Sequence, residues 1–298
     1  MDISIIIVNY NTKVLIKQCL GSIFDKTENI KFEIIIVDNA STDGSQQMLK
    51  NDFRGIKLIE SNENLGFGKA NNLGVKHARG KYLFFLNPDT ILQNNAVKIL
   101  ADFLNQNPKV GICGGNLFNE NGGENLSYSM FLPSILWELN LLSASFVERM
   151  MYGKNARFNQ TNKPRKVGYI TGADLMIRTE LFNLYDGFDP GFFMYYEETE
   201  LTNRIKKSGY LVYNVPQANI IHLEGQALGE NWKKRVKLDL ESRKKYYHKV
   251  KNKITIFLCN CIFFIGSLGK CITFKIINNK NKHQYWKYIL KNMNTKDM

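Results

Sequence analysis

The chain has 298 residues, of which 44% are hydrophobic, enough for one large domain or two small ones. Its formal net charge is +13, and this excess suggests an anionic partner, either a nucleic acid or an anionic membrane surface. The five cysteines form no Cys-x-x-Cys pair and have no His at zinc-finger spacing, which argues against structural zinc. No signal-peptide pattern opens the sequence, so we expect a cytoplasmic protein.

The first hundred residues alternate between strand and helix patterns. Apolar β-branched runs predict buried strands, and a 3.6-residue apolar period predicts helices. The predicted strands are Ile3–Val8, Ile34–Val37, Ile56–Ile59 and Tyr82–Leu86. The predicted helices begin at Thr12 and near Gln46, and run over Phe67–His77 and Ala96–Leu104. This alternation predicts an α/β fold with a parallel sheet and right-handed crossovers.

The second half of the chain has a less regular pattern. Further strands are predicted over Val110–Phe118, Tyr169–Ile177, Tyr210–Val215 and Asn219–His222, and a helix over Glu197–Ser208. Residues 130–165 read as an irregular excursion beside the site, helical over Ile135–Met150.

Polar side chains follow the predicted strands where each strand ends. Asn9, Tyr10 and Asn11 follow the first strand, and Asp38 and Asn39 follow the second. An open α/β sheet binds its ligand at the carboxyl ends of its strands, so these residues are candidates for a nucleotide base or ribose. Taken alone, each group is more often a turn or a helix cap.

Three further positions suggest phosphate or metal binding. The segment around Lys69 lacks the Gly-Lys-Ser/Thr ending of a P-loop, and no Gly-x-Gly-x-x-Gly follows the first strand, so both of those folds are rejected. Lys69 is a candidate contact for a diphosphate at a helix N-terminus.

Asp89, which follows Asn87 and Pro88, is a candidate ligand for Mn²⁺ or Mg²⁺. His222 is a candidate metal or phosphate contact, with an ordinary strand-end histidine as the alternative.

Glu197 and Glu198 begin a predicted helix directly after an aromatic run. A helix dipole alone would explain acids at this position. The functional interpretation is a general base, because two close carboxylates shielded from water raise one pKa toward the working pH.

The composition changes near Trp232, where basic residues dominate as far as Lys253. The uncharged segment Ile254–Gly269 follows and is shorter than the ~20 residues that span a bilayer. It suits a helix in the cytoplasmic leaflet, and a core helix docked on the main domain is the alternative.

Taken together, the chain resembles family-2 glycosyltransferases of the GT-A fold, close to the bacterial rhamnosyltransferase-like branch that builds surface polysaccharides. The similar segments cover roughly residues 1–227 and read IIIVNYN, IIIVDNASTDGS, ENLGFGKANNLG, FLNPDT, GYITGADLMIR, GFDPGFFMYYEETEL and IIHLEGQ. The resemblance implies a Rossmann-like GT-A domain over residues 1–231 with a mainly parallel central sheet. Residues 232–298 then form a helical, membrane-associating region.

The resemblance also implies roles for individual residues. Asp38 corresponds to the residue that contacts the base, and Asp89 to the last acid of the Asp-x-Asp motif, which holds Mn²⁺ or Mg²⁺. Asn87 stands where the first acid of that motif often lies and is a candidate nucleotide contact. Glu198 corresponds to the usual base, although Glu in place of Asp leaves Glu197 as the alternative. Asp174 is a candidate for sugar hydroxyls, with a structural role as the alternative.

The implied reaction is inverting transfer of one sugar, or a few, because the Gln-x-x-Arg-Trp motif of processive members is absent. The implied donor is dTDP-rhamnose or a UDP-sugar, and the implied acceptor a glycan or lipid-linked saccharide. The enzyme would be peripheral on the inner face of the cell membrane and would not bind nucleic acid. The alternatives are a non-catalytic sugar-nucleotide-binding protein and a nucleotidyltransferase.

Overall fold

A computed structural model describes residues 1–223 and 231–293. The strands are β1 (Ile3–Asn9), β2 (Phe32–Asp38), β3 (Lys57–Glu60), β4 (Tyr82–Leu86), β5 (Thr90–Leu92), β6 (Val110–Phe118), β7 (Tyr128–Ser129), β8 (Arg165–Lys166), β9 (Tyr169–Ile170), β10 (Asp174–Arg178) and β11 (Leu211–His222). The helices are α1 (Lys13–Lys26), α2 (Ser45–Asp52), α3 (Phe67–Val75), α4 (Ala96–Gln106), α5 (Ile135–Leu142), α6 (Phe146–Tyr152), α7 (Thr179–Leu184), α8 (Glu197–Lys207), α9 (Trp232–Val250), α10 (Lys253–Ile276) and α11 (Lys280–Asn292).

The central sheet is mixed but mainly parallel. Its strand order is β3-β2-β1-β4-β10-β6-β11-β5, with β8 also pairing to β11. Strands β1 to β4 are mutually parallel, and β6 is parallel to β11. Strand β10 runs antiparallel between β4 and β6, and β5 runs antiparallel to β11. The predicted α/β class and mainly parallel sheet are confirmed.

The central strands are buried on both faces. Ile5 and Ile7 of β1 belong to one apolar cluster, whereas Ile6 belongs to the cluster on the opposite face. Helix α3 lies very close to the sheet at Gly74, where a Cβ would come within 2.8 Å of Ile6 Cγ2. Burial on both faces explains why these strands read as continuous apolar runs without alternation.

Two predicted elements are interrupted in the structure. The predicted helix Ile135–Met150 is divided into α5 and α6, because Ala144 and Ser145 adopt left-handed backbone with φ of 52° and 69°. The predicted strand Tyr169–Ile177 is divided into β9 and β10 by residues 171–173, which line a cavity described below. The two predicted strands at 210–222 are instead one strand, β11, with a register shift between Asn214 and Asn219.

Helix α10 is longer than the apolar segment predicted from sequence. It has 24 residues because it extends past Gly269 to Ile276, and it is long and apolar enough to cross a membrane. Only 22% of its most apolar 18-residue window is buried. That fraction is low for the core helix of a soluble domain.

Helix α9 packs on the rest of the chain through a buried ion pair and buried tyrosines. Arg243 donates to Glu138 Oε1 of α5 from Nε at 3.1 Å and from Nη2 at 2.6 Å, and Tyr247 adds a hydrogen bond of 2.8 Å. Arg243 also donates to Asn260 of α10 at 2.9 Å. Tyr246 packs against Tyr196 at a centroid distance of 5.5 Å. Helices α5, α9 and α10 therefore meet around the guanidinium group of Arg243.

We predict that Arg243→Met lowers the free energy of unfolding by about 3 kcal/mol, because Glu138 is left buried without its cation. Arg79→Met is the matched control, since it breaks the Arg79–Glu33 pair in which the arginine is 74% exposed. That pair is expected to contribute about 1 kcal/mol or less. Urea unfolding of both variants measures the difference, and equal losses would contradict the cost assigned to leaving Glu138 buried without its cation.

Candidate active site

A cavity of about 460 Å³ opens at the carboxyl ends of the parallel strands. The candidate residues that line it are Tyr10, Asn39, Asn87, Asp89, Glu197, Glu198 and His222. The candidates that do not line it are Asn9, Asn11, Asp38, Lys69 and Asp174. The fold therefore brings together residues from β1, β2, the β4–β5 connection, α8 and the end of β11.

Asn9 and Asp38 form a buried network beneath the cavity. The parallel register of β1 and β2 places them side by side, and Asn9 Nδ2 donates to Asp38 Oδ2 at 2.6 Å. The other oxygen, Oδ1, accepts from the Ser41 backbone N–H at 2.9 Å and from Gln46 Nε2 at 2.7 Å. Thr12 completes the network by donating to Asn9 Oδ1 at 2.6 Å. Both oxygens of Asp38 are thus engaged by neighbouring groups.

The residues that follow Asn9 and Asp38 shape the edge of the cavity. Asn39 holds the loop before α3, because its Oδ1 accepts from the Leu65 N–H at 3.0 Å and its Nδ2 donates to Asn64 Oδ1 at 3.1 Å. Tyr10 lines the cavity and is 37% exposed. Asn11 lies outside the lining, where its Oδ1 accepts from the Thr42 N–H at 2.7 Å.

The predicted metal ligands lie beside each other. Antiparallel pairing of β5 with β11 sets His222 opposite Thr90, and His222 Nε2 lies 3.4 Å from Asp89 Oδ1. Both side chains are largely buried, and neither Asp89 Oδ1 nor His222 Nδ1 has a hydrogen-bond partner among residues 1–223 and 231–293. The unsatisfied Asp89 Oδ1 and the adjacent His222 Nε2 together suit a divalent cation.

The site supplies few protein ligands beyond these two. The described residues contain no group of three or more His, Cys, Asp or Glu suited to a metal ion. Asn87 also lines the cavity, and its backbone N–H donates to the Ala173 carbonyl at 3.0 Å. A cation on Asp89 and His222 would therefore complete its shell with water and ligand oxygens, as Mg²⁺ usually does.

The acid pair begins helix α8 and lines the same cavity. Burial and the neighbouring Glu198 hold the pKa of Glu197 well above its ordinary value. Burial also raises the pKa of Glu198, although a 2.9 Å hydrogen bond from Thr199 Oγ1 opposes the shift. Glu197 is only 4% exposed, whereas Glu198 is half-buried at the cavity. Glu198 is the more accessible of the two carboxyls.

Backbone constraints aim the acid pair at the cavity. Tyr195 and Tyr196 precede it with φ of 69° and 66°, a left-handed conformation that costs roughly 1–2 kcal/mol for each residue. The Phe193 carbonyl accepts from the Phe67 N–H at 2.8 Å. At Gly66, with φ of 80°, a Cβ would lie 2.2 Å from that carbonyl oxygen, so only glycine allows this approach.

Helix α9 adds residues that the sequence analysis missed. Lys234, Arg235 and Leu238 line the cavity, and Ser242 Oγ donates to the Met194 carbonyl at 2.7 Å beside the acid pair. Burial raises the pKa of Asp239 to about 6. The available signal is the basic run after Trp232, which predicts an anionic partner but does not show that its residues line a cavity.

Two candidates lie away from the cavity lining. Asp174 in β10 is fully buried, its Oδ2 accepts from the Gly115 N–H at 2.5 Å, and burial raises its pKa well above the ordinary value. This placement fits the structural role that was the alternative. Lys69 is exposed on α3 outside the lining, because its side chain leaves the face that packs on the sheet. Glu224 and Gln226 of the segment IIHLEGQ lie outside the described residues.

Comparisons with known proteins agree with this architecture. The chain is 24% identical over 249 residues to an N-acetylglucosaminyl-diphospho-decaprenol L-rhamnosyltransferase of Mycobacterium tuberculosis, covering 76% of this chain and 78% of the relative. It is 22% identical over 298 residues to the dTDP-rhamnosyl transferase RfbF of Shigella flexneri, covering 96% and 92%.

A solved structure shares the fold. The mannosyltransferase PcManGT from Pyrobaculum calidifontis, in complex with GDP-Man and Mn²⁺, superposes with a TM-score of 0.58 at 15% identity. The match covers 99% of this chain and 87% of that protein, and it supports a GT-A-like architecture.

The family assignment rests on the sequence profile of "Glycosyl transferase family 2", which matches residues 4–183, more than half of the chain. The rhamnosyltransferase-like branch predicted from sequence is confirmed by the named relatives. The chain belongs to glycosyl transferase family 2, and it is a glycosyltransferase.

Proposed function

We propose that this enzyme is an inverting glycosyltransferase that moves one sugar from a nucleotide-sugar to a glycan or lipid-linked acceptor in surface polysaccharide synthesis. The observation that carries the proposal is one cavity lined both by the acid pair and by Asp89 with His222. The named rhamnosyltransferase relatives favour dTDP-rhamnose as donor, with a UDP-sugar as the alternative.

Glu198 is the proposed general base. Its half-buried carboxylate takes the proton of an acceptor hydroxyl, and the hydroxyl oxygen then attacks the anomeric carbon as the bond to the nucleoside diphosphate breaks. Glu197 is more deeply buried, and its higher pKa favours the neutral form. When Glu197 is neutral, Glu198 is the carboxyl group of the pair that ionises.

The diphosphate of the donor is proposed to lie near Asp89, His222 and helix α9. A divalent cation, Mn²⁺ or Mg²⁺, would neutralise charge that develops on the departing diphosphate. Asp89 and His222 would hold that cation. Lys234 and Arg235 add positive charge to a cavity that otherwise carries three carboxyls, so we assign them the phosphate contact first predicted for Lys69.

The nucleotide is proposed to bind at the ends of β1 and β2. Tyr10 and Asn39 line the cavity and are the direct candidates. Asn9, Asn11 and Asp38 would then shape this end from beneath and beside it, since their polar atoms are engaged by neighbouring groups. The proposed cellular location is cytoplasmic, peripheral on the inner face of the membrane, because the basic excess lies in the C-terminal helices.

Glu198→Gln is predicted to lower transfer by roughly 10²–10⁴-fold, because the amide cannot accept the proton. In the unaltered enzyme the rate falls as Glu198 is protonated, at a pH above that of an ordinary carboxyl because burial raises its pKa. Rate measurements against pH, with nucleoside diphosphate binding as the folding control, test this role. A Glu198→Gln variant that keeps both its rate and the acidic limb would assign the base elsewhere.

Asp89→Asn is predicted to weaken Mn²⁺ binding and to lower metal-dependent turnover by roughly a hundredfold or more. Electron paramagnetic resonance of Mn²⁺ titrated with nucleoside diphosphate measures binding separately from turnover. Asp102→Asn is the matched control, since Asp102 pairs with Lys98 on the surface of α4. Equal Mn²⁺ affinities in the two variants would remove Asp89 from the metal site.

Lys234→Gln/Arg235→Gln is predicted to raise the donor KM by roughly 10–100-fold, because contacts to charged phosphate oxygens are lost. Lys233→Gln/Lys237→Gln removes the same charge from the same helix at positions outside the cavity lining. Donor saturation curves of the two double variants make the comparison. The assignment fails when both variants raise KM equally, since the effect would then be long-range electrostatics.

A further inference from the structure

Helix α10 carries an apolar stripe on its open side. The stripe consists of Ile254, Phe257, Leu258, Ile265, Leu268, Ile272 and Ile276, whose exposed fractions lie between 40% and 77%. Successive helical residues are rotated by about 100°, so these side chains fall within an arc of about 100°. The stripe extends over ~33 Å, since each residue adds about 1.5 Å. Seven large apolar side chains in one open row exceed the single scattered ones that need no explanation.

The opposite side of α10 is fixed to the protein. Its buried residues are Ile256, Cys259, Gly266, Ser267 and Cys271. At Gly266 a Cβ would lie 3.0 Å from Leu142 Cδ1, so α5 and α10 are in close contact. Lys270 Nζ donates to the Leu141 carbonyl at 3.0 Å, and Asn260 accepts from Arg243 at 2.9 Å. A helix crossing the bilayer would have to give up these polar contacts.

Helices α5 and α6 also carry exposed apolar side chains. Leu139 of α5 is 38% exposed. Helix α6 follows directly, and its Phe146, Met150 and Met151 are 60%, 71% and 56% exposed. These side chains come from the main part of the chain, so the apolar surface is not confined to the C-terminal helices.

The charge of the protein is concentrated around the same helix. Residues 231–293 carry 16 Lys and Arg against two acids, whereas the rest of the chain carries 24 against 25. Lys251 and Lys253 lie at the start of α10, and Lys275 and Lys280 lie near its end. An apolar stripe with cations at both ends complements an anionic lipid surface, because alkyl chains receive the apolar side chains and headgroups receive the lysines.

We infer that α10 lies parallel to an anionic bilayer and inserts the apolar stripe into it. Helix α10 would then be the membrane-binding surface for the peripheral location given under the proposed function, on which this inference rests. The helix is a monotopic anchor and does not span the membrane. There are two alternatives: a second copy of the chain covers the stripe, or α10 spans the membrane. The test below distinguishes both from a monotopic anchor.

The test is vesicle co-sedimentation of the full chain in the absence of donor, with phosphatidylglycerol-containing or pure phosphatidylcholine vesicles. The unaltered protein is expected to bind the anionic vesicles and to be released at alkaline pH. Ile265→Glu/Ile272→Glu is expected to lower binding by roughly tenfold or more, because two charges enter the stripe. Val14→Glu/Leu184→Glu is the matched control, since both residues are 68% exposed on other helices and binding is expected to persist.

Four outcomes would overturn the inference. Equal loss in the two double variants, or no vesicle binding by the unaltered chain, would remove the lipid partner. Resistance to alkaline extraction would indicate a spanning helix. A dimer in light scattering that dissociates only in Ile265→Glu/Ile272→Glu, with no vesicle binding, would assign the stripe to a second copy. Circular dichroism and nucleoside diphosphate binding confirm that each variant is folded, and neither depends on the transfer reaction.

Discussion

The parallel register of β1, β2 and β4 is the constraint on which the site depends. Parallel strands end at the same edge of a sheet, so Asn9 and Asp38 lie opposite each other and Asp89 follows from the adjacent strand. A slip of one residue would move every polar strand end and force the side chains of two closely packed faces to repack, so it is strongly disfavoured. The polar network beneath the cavity, from Asn9 to Ser41, then fixes the edge without occupying it.

Two further attachments complete the cavity around this edge. The left-handed backbone at Tyr195 and Tyr196 turns the acid pair inward, and the close approach at Gly66 holds that segment against α3. Helix α9 adds its cations because Arg243 is buried against Glu138 and Tyr247. A buried ion pair adds little net stability compared with apolar packing, but removing one partner is costly. The pair therefore specifies where α9 sits more than it strengthens the fold.

The sequence was sufficient for features that depend on local pattern. Buried strands such as Ile3–Val8, the strand-end candidate Asp89 and the acid pair were predicted, because apolar runs and their polar endings are visible without tertiary contacts. The break of the predicted helix at Ala144 and Ser145 was not visible, since neither residue is a glycine that signals a left-handed backbone. The position of Lys234 and Arg235 was also not visible, because a basic run shows its charge but not which of its residues reach the cavity.

The most direct measurement of the central claim is donor turnover by the purified protein. A panel of dTDP-, UDP- and GDP-sugars would be supplied with a glycan or lipid-linked acceptor and Mn²⁺ or Mg²⁺, and the released nucleotide product identified. The account predicts nucleoside diphosphate from one donor, suppressed by EDTA, with the anomeric configuration of the sugar inverted. Pyrophosphate as the product, or no binding of any nucleotide to the cavity, would contradict it.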